Sequence, residues 1–155
     1  MSAAWPSVKA RLVELLPQLL PVVPGWAEGA VYNGPPVTRD AVPSYVTVGF
    51  VVGEDFGGSY EQTRNGEGWQ GALEEAGTIR CEVVCSTGDF DLPTVEARAF
   101  AFVDAFDALI AADETLGVLP PSSSASLAVD VQPAQTDKGA VQRLTVTLSY
   151  FARGL

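Results

Sequence analysis

Between Thr78 and Gly117 the hydrophobic pattern changes from the period of a strand to that of a helix within a few residues. Over Thr78–Thr87, Ile79, Cys81, Val83 and Cys85 form an apolar row. Thr78, Arg80, Glu82 and Ser86 alternate with them and are expected to face outward. Gly88-Asp89-Phe90-Asp91 is an acidic turn, with Asp91 placed to cap the following helix and Pro93 tolerated in its first turn. Val95, Ala99, Phe102, Val103, Phe106, Leu109 and Ile110 then recur as one helical stripe, which Asp113–Gly117 ends. A strand tied to a helix by so short a corner must have that helix laid back over its apolar row. The corner holds no plausible catalytic group, which points to a protein that works through its shape.

The rest of the chain supplies partners for this unit. A first helix is expected from Trp5 to Leu16 or Leu20, with Val8, Leu12, Leu15, Leu16 and Leu19 on one face. Pro17 ends or kinks it, and Pro21 and Pro24 forbid its return. A short strand is expected at Ala30–Tyr32, followed by a rigid extended loop over Asn33–Asp40. A second strand over Tyr45–Val52 is apolar on both faces, as in a sheet interior. Gly53–Gly71, rich in glycine and polar residues, reads as a long flexible loop. After Pro120–Ser124, strands over Ser126–Gln132 and Val141–Ala152 flank Asp137-Lys138-Gly139 as a hairpin. The expected fold is a single α+β domain over residues 1–155 in the order α-β-β-β-α-β-β. Its largely antiparallel sheet carries two helices on one face.

Composition narrows the chemistry. A chain of 155 residues with a net charge of −10 repels nucleic acid and anionic lipid, and its nine Lys and Arg form no basic run. Histidine is absent, which removes Ser-His and Cys-His catalysis and the commonest metal ligand. Cys81 and Cys85 share a strand face but lie about 13 Å apart, too far for a disulfide, and read as reduced core residues of a cytoplasmic product. The apolar run Leu12–Val23 is broken by two prolines and carries Glu14, so no membrane span is expected. The N-terminus lacks the features of a signal peptide, and the chain is expected to be soluble.

The remaining candidates are weak as chemistry. The glycines after Val52 lack the Gly-Lys-Ser/Thr ending of a phosphate loop, and Glu54 and Asp55 stand where a phosphate would sit. Asp89 and Asp91 are explained by turn and cap roles, and Glu74-Glu75 as a solvated strand entry. No catalytic, cofactor-binding or metal-ligating residue is assigned. Phe56, Tyr60, Arg64 and Trp69 are aromatic or guanidinium groups on the polar loop, the types favoured as interface anchors. Arg80 and Glu82 could pair with a neighbouring strand or subunit, or be ordinary surface charge. Phe100, off the helix stripe, and Phe151, opposite the core face of the last strand, would be exposed in a monomer.

Four segments together resemble the tail terminator proteins of long-tailed bacteriophages, in particular those of actinobacterial phages and prophages. They are Ala30–Val37, Tyr45–Phe50, Cys81–Gly117 and Gln142–Arg153. The resemblance covers nearly the whole chain in order but rests on layout, with no signature motif. It implies a small α+β subunit of a ring, usually hexameric, at the tail–neck junction of the virion. Such a ring caps the tail tube, stops its elongation and joins it to the head. The implied partners are further copies of the chain, the major tail tube protein and a head-completion or neck protein. DNA passes through the lumen without specific binding, and no cofactor is implied. The acidic charge agrees with a lumen that offers no phosphate grip. Rival readings are another neck ring protein, such as a head-completion adaptor, or the tube protein. A more distant rival is a small enzyme or ligand-binding domain using buried carboxylates, which predicts a deep pocket lined by Asp or Glu.

Overall fold

A computed structural model describes residues 3–36, 42–65, 72–134 and 139–155. The chain folds as α+β: helix α1 (Trp5–Leu15) with a 3-10 turn (Leu16–Leu19), strands β1 (Ala30–Asn33), β2 (Ser44–Val48), β3 (Gly58–Asn65) and β4 (Ala72–Ser86), helix α2 (Leu92–Ala112), and strands β5 (Ser124–Val131) and β6 (Val141–Arg153). The strands form one sheet in the order β1-β2-β4-β6-β5, with β3 also on β4. All pairs are antiparallel except β1 with β2.

Strand β4 organises the sheet. One of its edges pairs with β6 along most of its length, from Glu74↔Arg153 to Ser86↔Val141. The other edge is shared: Cys81–Cys85 pair with β2, and Ala72–Ile79 pair with β3. The chain leaves β2 at Gly49, loops out over Phe50–Phe56, and rejoins the same edge at Gly57. Both ends of the loop bond to Arg80: Gly49 N–H donates to its carbonyl and its N–H donates to the Gly57 carbonyl, each at 2.8 Å. A Cβ on Gly57 would lie 2.0 Å from the Gly49 carbonyl oxygen, so only glycine closes this pinch.

Strand β3 corrects the expectation of a loop throughout Gly53–Gly71; the residues 66–71 at its far end lie outside the described residues. The run Gly58-Ser59-Tyr60-Glu61-Gln62-Thr63-Arg64-Asn65 shows no apolar alternation, because its strand form comes from backbone pairing with β4 rather than from burial. It is a polar edge strand that pairs with β4 alone among the described residues. For the same reason β4 starts at Ala72, before the Thr78 expected from its apolar row. Strand β2 is shorter than expected, since Gly49 turns at a φ of +75°.

The core lies between one sheet face and both helices. Ile79, Cys81, Val83 and Cys85 are fully buried, as are Leu144, Val146, Leu148 and Ala152 of β6. Val8 and Leu12 cover them from α1, Leu16 from the 3-10 turn, and Val95, Ala99, Phe102, Val103, Phe106 and Ile110 from α2. At about 25 cal/mol per Å² of apolar surface removed from water, each large side chain here contributes about 2 kcal/mol. Trp26 enters this core too, its ring centroid 4.4 Å from that of Phe102 and its indole N–H donating to the Arg98 carbonyl at 2.9 Å. The cap at the start of α2 forms as expected: Asp91 accepts from Thr94 N–H at 3.3 Å and from Thr94 Oγ1 at 2.6 Å. Among the described residues no helix is long and apolar enough to cross a membrane.

Candidate functional site

Residues opposite each other in an antiparallel pair share a sheet face, so register assigns each candidate to a side. Arg80, Glu82 and Phe151 fall on the face away from the helices, together with Thr47, Thr78, Arg143, Thr145 and Thr147. Tyr60 pairs with Gly77, which belongs to the row of Ile79 and Cys81, so it lies on the helix side. Phe100 is on α2, again on the helix side, with 38% of its surface exposed. The eight sequence candidates therefore do not form one patch.

The structure gathers Phe56 and Arg80. The pinched loop folds over the outer sheet face: Thr47 Oγ1 donates to the Phe50 carbonyl at 2.7 Å, and Val51 is buried. Arg80 forms an ion pair with Glu54 of the loop at 3.1 Å. Glu54, Asp55, Phe56, Gly58, Ser59, Thr78 and Arg80 line an open cleft of about 270 Å³. Phe56 stands 74% exposed at its edge, with Val52 at 57% on the same loop. Tyr60 is 52% exposed on β3, and Arg64 is exposed further along that strand. Phe151 is only half-buried, with the Arg153 guanidinium 5.0 Å from its ring centroid. Trp69 lies outside the described residues.

Glu82 corrects the outward reading, since only 1% of it is exposed. Its Oε1 accepts from Arg143 Nη1 of β6 at 2.8 Å, while Oε2 has no hydrogen-bond partner. Burial pushes its carboxyl above the usual range, and the Arg143 charge opposes that rise. The partner was among the possibilities the sequence offered, a neighbouring strand, but the burial was not. The signal lies in the loop that returns over the strand, which no periodicity records.

Glu75 was read as a solvated strand entry and is instead fully buried. It accepts from Ala4 N–H at 3.1 Å, Gln62 Nε2 at 2.8 Å and Tyr150 Oη at 2.6 Å. Burial and the neighbouring carboxylate together push the Tyr150 hydroxyl far above its ordinary value. Continuing the alternation of Ile79 backward through Gly77 to Glu75 and Leu73 would have placed this residue inward. Gly77 leaves the space that the Tyr150 ring fills, as a Cβ there would sit 2.3 Å from it.

These groups offer little reactive chemistry. Burial raises the Cys81 thiol to about 12 and that of Cys85 to about 11, which keeps both protonated and inert. Asp89 is held below its ordinary value by the Thr87 hydroxyl and the Asp91 N–H, as its turn role requires. Among the described residues no group of three or more His, Cys, Asp or Glu is placed to hold a metal ion. The two buried carboxylates are bound by their neighbours, and neither lines any of the four clefts described for the surface. What the outer face and its edges present is a polar sheet with an exposed aromatic on a braced loop, an arrangement suited to contact. No family model matches the chain, and no curated protein matches it.

Proposed function

We propose that this chain is a structural virion protein whose copies close into a ring, hexameric by resemblance, that caps a phage tail tube and joins it to the neck. The observation that carries the reading is the sheet itself. Both helices lie on one face, and β3 and β5 each bond to one neighbouring strand, which leaves two long strand edges able to meet other subunits. A closed ring needs two different complementary surfaces on each copy, and such a sheet offers two different edges, on opposite sides, as candidates. The exposed Phe56 and Tyr60 supply aromatic anchors near one of those edges. A net charge of −10 suits a channel that lets DNA pass without holding it.

The partners in this reading are neighbouring copies, the tail tube subunit and a neck protein. The carboxylate-enzyme reading is less favoured, because Glu75 and Glu82 are consumed by internal partners. Electron microscopy of particles made without this protein tests the proposal. Over-long tails lacking heads are expected, whereas tails of normal length joined to heads would refute termination. Gene order separates the terminator from its neck relatives, since a terminator is expected just before the major tail protein.

A further inference from the structure

We infer that the cleft beside Arg98 receives a carboxylate from a second copy of this chain, an inference that rests on the ring reading above. The argument begins with a census of cations in a chain carrying 19 acidic and nine basic residues. Among the described residues, Arg11 pairs with Glu14, Arg80 with Glu54 and Arg143 with Glu82. Lys9 lies over the Trp5 ring and Arg153 over Phe151. Arg64 has a partner of its own. The Arg98 guanidinium makes no hydrogen bond, ion pair or ring contact among the described residues, although its charge reaches Asp89 and the Cys85 thiol.

Its setting is an open cleft. Gly25, Ala27, Glu28, Gly29, Pro43, Ser44 and Arg98 line a cleft of about 310 Å³. The Arg98 stem lies across Gly25, where an added Cβ would come within 2.8 Å of its Cδ and Nε. Gly25 also adopts a φ of +85°, a conformation that favours glycine. Beneath, Trp26 holds the Arg98 carbonyl, so the base of the side chain is fixed while its head is half-exposed. The guanidinium presents a planar fork that matches a carboxylate.

The occupant follows from charge. Copies carrying −10 each repel one another, and a closed ring brings them side by side. A cation without a direct partner, facing an acidic group on the next copy, offsets that repulsion, and acidic groups are abundant on this chain. Glu28 shares the cleft without pairing with Arg98, and its charge opposes the incoming carboxylate.

Sedimentation velocity of the full chain over a concentration series, alone and with tube added, tests the contact. Arg98→Glu is expected to weaken self-association at least about tenfold. Arg98→Lys should recover only part of the loss, and Glu28→Gln should strengthen association roughly threefold. Circular dichroism checks the fold of each variant, with Arg98→Gln taking the place of Arg98→Glu should the reversal disturb α2. Charge variants that associate as the parent does would overturn the contact and leave the ring standing. A parent chain that stays monomeric with and without tube would overturn both. Succinate shifting the Arg98 side-chain N–H resonance, with association unchanged, would assign the cleft to a small carboxylate and overturn the second copy as occupant.

Discussion

Glu75 and Glu82 belong to one strand and are equally hidden from water, yet the fold accommodates them in opposite ways. Glu75 faces the helices and is met by three hydrogen-bond donors drawn from the start of α1, from β3 and from β6. Glu82 faces the other side and pairs with one cation; the Val52 N–H and the Gln132 side chain also favour its charge, yet Oε2 is left without a close hydrogen bond. The first carboxylate joins elements distant in sequence, so its surroundings act as a rivet. The second is an ion pair closed over by a loop, and its desolvation works against its Coulomb attraction. Burial of a charge is therefore not one phenomenon: the number and origin of its donors decide whether it holds a fold together or strains it.

The largest expected effect comes from breaking the rivet. Glu75→Ala orphans three donors and should lower stability by about 3 kcal/mol in urea unfolding. A loss near zero would mean that the three donors find water instead, and the contrast with Glu82 would collapse. Arg143→Ala leaves the Glu82 charge alone and should cost about 2 kcal/mol, below the usual range for a buried pair because Arg143 is partly exposed. Tyr150→Phe removes one of the three donors and should cost about 1.5 kcal/mol. Combined with Glu75→Ala it should add little further, since the two share one contact; full additivity would show that they act independently.

The smallest effect is one of sign. The Glu82 carboxyl is raised by burial, so the folded protein binds a proton more readily than the unfolded chain just above the ordinary value of 4.5. Stability from this group is present below that value and is lost as pH rises through the raised one. Relative to Glu82→Gln, the parent should therefore gain stability on acidification from neutral toward pH 5. Parallel curves for the two proteins would place the Glu82 carboxyl in its ordinary range and remove the strain from the comparison.

Periodicity revealed whatever depends on burial against a regular face. The apolar row of β4, the stripe of α2, the alternation of β6 and the Asp91 cap are all legible because a core imposes them residue by residue. Strand β3 was illegible because a polar edge strand takes its form from a partner's backbone, and its side chains carry no period. The sheet order and the parallel pairing of β1 with β2 depend on long-range register. Of the candidate site, single residues such as Phe56 and Tyr60 were identifiable by type and are exposed. Their separation onto two faces was hidden, since it follows from pairing with β4. Arg98 escaped notice for the same reason: what distinguishes it is that the other described cations are engaged, which only three dimensions reveal.

The pinch at Gly49 and Gly57 has a consequence for how such a chain can vary. Because one residue, Arg80, binds both ends, the segment between them begins and ends at the same point on the sheet. Its length can change without shifting the register of β3, and the entropy of closing it grows only slowly with added residues. The two glycines, Val51 beneath and Glu54, paired with Arg80, are bound to the scaffold, while Val52 and Phe56 stand exposed. The loop is thus a replaceable part on a fixed mount, a place where one subunit design can be refitted for different neighbours while its fold stays untouched.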